Sequence, residues 1–364
     1  MDSGHTQVLG FGVSHTVAVF LPNWIGDVVM ATPTLRNLRQ HYGPNTKMLG
    51  IARPYVQQVL TGSSWLDKMV WYHPKSKDRK LNSTSVVQQL RDNQVDEVVM
   101  LTNSFRSAWI AWRANARERI GYARYFRKSL LTLPLDPPKH QGKFEPISAV
   151  DYYLQLLNSM GVKIHSRQPE LYTTAQGENA ADRVWENFGW ETYNSVIGLN
   201  TGGAYGAAKH WPNQHSSQLA LRLVERGHRV LIMCGPKEVD VAREIEDLAR
   251  HPNVRSMADQ DLSLEASKAC LRRCNLLVTT DSGPRHIAAA FDVPTVTLFG
   301  PIDPAWSYNY ASAAIDMYDR LDCSPCGKRV CPLGHHQCMN DLTPDRVLHA
   351  VNQLLGQSEA DRAA

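Results

Sequence analysis

Short apolar runs of β type alternate with amphipathic helical runs along this chain, and that alternation narrows the fold more than any other feature. A strand cannot turn straight back to lie parallel to its neighbour; it needs a crossover, usually a helix. In the second half, residues 196–200, 229–234, 254–257, 276–280 and 295–299 read as strands. Residues 216–226, 239–250, 264–273 and 284–291 read as the helices between them. The first half repeats the pattern, with strands at 17–21, 48–52 and 97–101. The loop 22–27 leads into a helix reaching about Tyr42, in which Pro33 predicts a kink or break. Further helices are expected at 85–93, 105–115 and 147–160, the last stopped by Gly161. The polar stretch 165–180, with Pro169 and Gly177, reads as the linker. The class is therefore α/β: two doubly wound domains facing a central cleft, with ligands at the carboxyl ends of the strands. A chain of 364 residues is long enough for two such domains.

Composition excludes several functions. Hydrophobic residues make up 43% and charged residues 20%, the balance of a globular chain. No run approaches the roughly 20 apolar residues of a membrane helix. Residues 1–16 lack a basic start and an apolar core, so no export signal is read there and a cytoplasmic location is expected. A net charge of +4 is too mild for a nucleic-acid coat, and no nucleic-acid partner is expected. One local patch stands out. Arg106, Arg113, Arg117, Arg119, Arg124, Arg127 and Lys128 face a single acid, Glu118, with Trp109, Trp112, Tyr122, Tyr125 and Phe126 interleaved. It reads as a solvated surface or as a dock for an anionic glycolipid or membrane surface, with single-stranded nucleic acid the lesser alternative.

Chemistry-bearing residues collect at strand ends. Asn23-Trp24-Ile25-Gly26-Asp27 follows the first strand, where Asp27 suits either a helix start or a general base in the cleft. Asp281-Ser282-Gly283-Pro284-Arg285-His286 follows the strand at 276–280. Ser282 fits an N-cap and Pro284 the first turn, so the helix start is ready for a pyrophosphate, while Asp281 suits a hydroxyl. The glycine-rich loop from Thr201 to Lys209 offers bare amides and one point charge, yet it matches neither the P-loop nor the dinucleotide fingerprint. Glu238, after the strand at 229–234, suits a ribose hydroxyl. Asp259 and Asp261 are read as a solvated loop, and no catalytic metal or other catalytic cofactor is expected. Cys323, Cys326, Cys331 and Cys338 fall within 16 residues, a density that points to a structural zinc, with disulfides, an iron–sulfur cluster or free thiols as alternatives. Cys234, Cys270 and Cys274 read as core.

The stretches LPNWIGDVVMATPTLRNL, GGAYGAAKHWP, TTDSGPRHIAAAFDVPTVTLFGPIDPAWS and CSPCGKRVCPLGHHQCMNDLTPDRV, taken in order, resemble the ADP-heptose:lipopolysaccharide heptosyltransferases of glycosyltransferase family 9, the heptosyltransferase II branch in particular. The resemblance implies a GT-B fold of two Rossmann-like domains and inverting, metal-independent transfer. Residues 1–170 would bind the acceptor, residues 171–342 would bind the nucleotide-sugar, and residues 343–364 would form a terminal helix and tail. Asp27 would be the general base and Lys209 the phosphate-binding lysine. Asp281, Ser282, Gly283 and His286 would contact the donor, as would Thr201 at phosphate, Glu238 at ribose and Leu262 beside adenine. Asn23, Trp24 and Gly26 would be further substrate-binding residues. The partners implied are ADP-heptose and an anionic acceptor of the lipid A–Kdo–heptose type, reached by peripheral contact with the inner face of the cytoplasmic membrane. The alternatives are a GT-B transferase using another nucleotide-sugar for a different envelope glycan, a dinucleotide-dependent oxidoreductase, and a non-catalytic metal- or nucleic-acid-binding module built on the cysteines.

Overall fold

The computed structural model describes residues 15–192, 195–203 and 205–363; most of the segment read for an export signal lies outside them. The first sheet is built from β1 (Thr16–Phe20), β2 (Lys47–Ala52), β3 (Lys68–Trp71), β4 (Glu97–Met100), β5 (Glu118–Tyr122) and β6 (Leu133–Leu135). Their order is β3-β2-β1-β4-β5-β6, every pair parallel. The helices of this half are α1 (Ile25–Met30), α2 (Thr32–Tyr42), α3 (Gln57–Leu60), α4 (Ser83–Asp92) and α5 (Phe105–Arg113). A two-stranded hairpin, β7 (Lys139–His140) and β8 (Lys143–Phe144), precedes α6 (Ala149–Ser159) and α7 (Ala175–Phe188).

The second sheet comprises β9 (Val196–Asn200), β10 (Arg229–Ile232), β11 (Val254–Ser256), β12 (Leu276–Thr280), β13 (Thr295–Phe299) and β14 (Ala314–Tyr318), ordered β11-β10-β9-β12-β13-β14. Its helices are α8 (Asn213–Val224), α9 (Val239–Ala249), α10 (Leu264–Arg272), α11 (Gly283–Ala290), α12 (Gln337–Asn340) and α13 (Pro344–Ala363). Both sheets follow the order 3-2-1-4-5-6 of the Rossmann fold, so the α/β reading holds twice over.

Strands covered on both faces by helices are buried at every position, not alternately. β1, β9, β12 and β13 obey this, each with all five residues buried. In the first sheet Ala18, Phe20, Leu49, Ile51, Val98 and Met100 meet Val86, Leu90, Ile110 and Ala111 from α4 and α5. Each of these side chains larger than alanine contributes roughly 1.5–3 kcal/mol of burial.

By compactness the described chain divides into two units. One holds the residues up to Leu21 with Leu38–Ala52 and Trp65–Asp136; the other holds Pro22–Asn37, Arg53–Ser64 and everything from Pro137 on. α1 therefore belongs with the second sheet although it follows the first strand. The helix expected from Asp27 to Tyr42 is interrupted at Ala31, and Pro33 sits in the first turn of α2, as its missing N–H requires.

Two readings need correction. α7 begins at Ala175, inside the stretch read as linker, because the Thr174 hydroxyl caps the Gly177 N–H at 3.1 Å. Gly177 is tolerated there because a Cβ would come within 2.9 Å of the Glu265 carbonyl. The basic patch is not one surface either. β5 runs through it, and Arg127 is wholly buried, donating to the carbonyls of Tyr122 and Thr102 at 2.8 and 2.6 Å. Arg119 is half-buried and donates to Leu130 and Ala116 carbonyls.

Candidate active site

β9 and β12 are neighbours, yet the chain leaves β9 toward β10 on one side and β12 toward β13 on the other. Diverging connections leave a crevice between them at their carboxyl ends. The glycine-rich loop leaves β9 there, and the Asp281–His286 segment leaves β12.

The two loops are tied together. Thr280 donates through its hydroxyl to the Gly202 carbonyl at 2.5 Å, and the Ser282 hydroxyl donates to Asn200 Oδ1 at 3.3 Å. Ser282 occupies the N-cap position of α11, but with its hydroxyl turned to Asn200 it makes no capping bond. The α11 amides are thereby left uncapped at a helix start whose first turn carries Pro284. Lys209, almost buried, donates to Asp281 Oδ2 at 2.6 Å and to the Asp281 carbonyl at 2.9 Å. Burial alone would raise the Asp281 pKa, but the Lys209 charge and hydrogen bond, with His286 and Arg285 nearby, hold it below the ordinary value. Two residues expected to act separately thus form one ion pair.

α1 packs against α11, and the contact depends on glycine. A Cβ on Gly26 would come within 2.7 Å of His286 Cδ2, and one on Gly283 would lie 3.5 Å from Ile25 Cγ2. This close approach brings Asp27, in the first turn of α1, toward Asp281 and Lys209. Its carboxylate accepts no hydrogen bond from any described residue. Burial first, and the Asp281 charge second, push its pKa from 3.8 up to about 6, while Lys209 pulls the other way. An acid poised near neutrality beside an ionised one is the arrangement in which the first takes up a proton and the second does not.

His286 is buried, and its pKa is lowered to about 3 by burial and by the Arg285 charge, so the ring is neutral at working pH. Asn309 Nδ2 lies 3.2 Å from His286 Nδ1. An amide nitrogen can donate but not accept, so Nδ1 accepts and the ring proton sits on Nε2. Arg285, despite its place in the motif, faces inward. Its guanidinium reaches Thr297 Oγ1 at 3.1 Å, the Ser307 carbonyl, and Asp316 at 3.2 Å.

The other expected residues are distributed as follows. Glu238 lies against the end of β9, where a Cβ on Gly202 would come within 2.6 Å of its Oε1, and its Oε2 accepts from Gly235 N–H at 3.0 Å. Thr201 is buried, its Oγ1 accepting from the Ser216 hydroxyl at 3.0 Å. Asn23 and Trp24 are exposed at the start of α1, with the Asn23 carbonyl accepting from the Tyr55 hydroxyl. Leu262 is half-buried in the approach to α10. Asn309 and Tyr153 escaped the sequence reading. The Tyr153 hydroxyl is raised well above its ordinary pKa by burial and by the Asp27 charge.

No zinc is indicated at the cysteine segment, where a structural site was expected. Among the described residues no three His, Cys, Asp or Glu side chains gather to hold a metal ion. Cys338 is raised to about 11 by burial and by the neighbouring thiols, whereas backbone N–H groups of His336, Leu333, Gly334 and His335 lower Cys331. The segment braces the glycine-rich loop instead. The Arg329 carbonyl accepts from Ala208 N–H at 3.0 Å, and the Gly327 carbonyl accepts from the Tyr205 hydroxyl at 2.7 Å. Gly206 has no room for a Cβ beside the Arg329 carbonyl. Cys234, Cys270 and Cys274 are buried, as expected of core thiols.

Two Rossmann units, the second with a lysine-braced, uncapped helix start at a strand-order reversal, define an α/β protein built to hold a phosphate-bearing ligand there. The model of glycosyltransferase family 9 (heptosyltransferase) matches residues 83–337, and the chain belongs to that family. It is 27% identical over 362 residues to lipopolysaccharide heptosyltransferase 2 of Escherichia coli (strain K12), covering 94% of this chain and 99% of that one. It is 26% identical over 355 residues to lipooligosaccharide heptosyltransferase 2 of Campylobacter jejuni, with 94% and 99% covered. Among solved structures, E. coli ADP-heptose LPS heptosyltransferase II superposes with a TM-score of 0.75 at 24% identity, covering 94% and 99%. No helix among the described residues is long and apolar enough to cross a membrane.

Proposed function

We propose that this glycosyltransferase moves heptose from ADP-heptose onto the inner core of lipopolysaccharide, with inversion at the anomeric carbon and without a catalytic metal. The observation carrying the mechanism is the Asp27 carboxylate, unpaired, with a pKa of about 6 beside the ionised Asp281–Lys209 pair.

Asp27 takes the proton of the acceptor hydroxyl as its oxygen attacks the anomeric carbon. The bond from that carbon to the diphosphate oxygen breaks on the opposite face, and ADP leaves with the electron pair. Lys209 spends two of its three N–H bonds on Asp281, which aims the third at the leaving diphosphate. The uncapped amides of α11, with Ser282 and Gly283, hold the same diphosphate, and Asp281 accepts from donor hydroxyls. Thr201 lies on the phosphate side, Glu238 takes the ribose, and Leu262 flanks adenine. Asn23, Trp24 and Gly26 lie on the acceptor side of Asp27. The names of the relatives support heptose, ADP and lipopolysaccharide.

The test combines binding with turnover. Calorimetry with ADP, UDP and GDP should show a clear preference for ADP, and ADP-heptose should be consumed with a lipid A–Kdo–heptose acceptor in the presence of EDTA. Preference for UDP or GDP would transfer the reading to another nucleotide-sugar, and loss of turnover in EDTA would remove metal independence.

A further inference from the structure

We propose that the carboxyl-terminal edge of the first sheet carries an anchor for anionic lipid bilayers, with Tyr125 and Phe126 at its tip. These residues follow β5, and both adopt left-handed backbone angles, φ +51° and +60°. Aromatic side chains rarely accept that conformation, and it is kept only where the surroundings impose it. Here the reward is not burial, since Phe126 is 98% exposed and Tyr125 61%.

What imposes the turn is Arg127, whose guanidinium is enclosed by the carbonyls of Tyr122 and Thr102 and the hydroxyl of Ser107 at 2.8, 2.6 and 3.2 Å. Gly121 makes room for it, because a Cβ there would come within 3.0 Å of Arg127 Nη2. A buried arginine therefore joins the β5 turn to the β4 turn and holds two aromatic rings out in water. β4 and β5 are parallel neighbours, so Phe105 and Arg106, at the start of α5, share this edge. Phe105 is 48% exposed and Arg106 is exposed. Arg124 stacks its guanidinium on the Tyr125 ring at 5.2 Å, and Lys128 is exposed. Against Arg106, Arg124 and Lys128, the β4, β5 and β6 turns supply one acid, Asp136.

Rings on a rigid tip, ringed by cations, match the boundary of an anionic bilayer. The rings enter the headgroup region while the cations stay with the phosphates. A protruding knob also suits a fluid medium better than a preformed protein face. Arg113, Arg117 and Trp112 lie toward the opposite end of α5 and are not part of this anchor.

The test is sedimentation of the full chain with vesicles of phosphatidylcholine alone or mixed with phosphatidylglycerol. Binding is expected to the mixed vesicles, to weaken with salt, and to fall roughly tenfold or more in Tyr125→Ser/Phe126→Ser with the unfolding midpoint and ADP binding unchanged. Phe126→Leu should retain it, and Arg124→Glu/Lys128→Glu should lose its salt-dependent part. In the unmodified chain, anionic vesicles should slow amide exchange across residues 123–128. Equal binding to both vesicle types, undiminished binding by the double serine variant, or capture of a single-stranded oligonucleotide in place of vesicles would overturn the proposal. None of these outcomes depends on which nucleotide-sugar the enzyme uses.

Discussion

Lys209 holds Asp281 by two bonds at once, to the carboxylate at 2.6 Å and to the main-chain carbonyl at 2.9 Å, with both side chains only 9% exposed. Removing one partner of such a pair leaves the other buried and charged, at a cost of about 3–5 kcal/mol. Lys209→Ala should therefore lower turnover, donor affinity and stability together. Adding Asp281→Asn should recover much of the stability but none of the turnover. A double-mutant cycle in denaturant unfolding checks this, and simple additivity would show that the pair is not coupled.

Asp27 predicts two pH effects of opposite benefit. As a general base it must be ionised, so kcat/KM should rise with pH through about 6 and then level, and Asp27→Asn should cut turnover by orders of magnitude while leaving ADP affinity nearly intact. For stability the sign reverses. The unfolded chain releases this proton near pH 3.8 and the folded one near pH 6, so stability falls as pH rises through that interval. Asp27→Asn should then match the native chain in stability near pH 4 and exceed it by about 2–3 kcal/mol at pH 8. Equal unfolding midpoints at both pH values would show that the acid is not strained.

The elements legible in the sequence are those whose signal is local. β12 and α11 were readable because the β-type run Leu-Leu-Val-Thr-Thr followed by Asp-Ser-Gly-Pro marks a strand, a turn and a helix start without outside help. β5 and β14 were not, since Glu118, Arg119 and Asp316 break their apolar runs. The missed site residues share a cause. Asn309 reaches His286 across 23 residues, and Tyr153 meets Asp27 only because α6 returns to α1. Arg127 looked like surface charge because nothing in its neighbourhood announces that distant carbonyls will enclose it. The cysteine spacing suggested a metal, yet the bonds made from 327 and 329 to the glycine-rich loop were invisible in it.

Gly26→Ala tests the helix contact. Helical propensity alone would favour alanine, by about 1 kcal/mol. The added methyl would meet His286 Cδ2 at 2.7 Å, so either the His286 ring or α1 must give way, and a shift of α1 carries Asp27 with it. Turnover should fall at least tenfold, a displacement effect of the size expected for roughly 1 Å of misplacement, with a smaller change in ADP affinity. Unchanged kcat would mean that α1 tolerates the shift.

Asn309 separates orientation from packing at His286. Its amide donates to Nδ1 at 3.2 Å and so keeps the proton on Nε2, the nitrogen nearer Gly26. Asn309→Ala removes that bias without reversing it. Asn309→Asp nearly preserves shape but accepts a hydrogen bond from Nδ1–H, which leaves Nε2 without a proton in the neutral ring and raises the imidazole pKa from about 3. If the Nε2 proton serves the donor, the aspartate variant should lose more kcat than the alanine variant although it fits the site better. If Asn309 only fills space, the order reverses, with alanine the worse of the two in both kcat and unfolding midpoint. Measuring kcat and thermal midpoints for the two variants together decides between them.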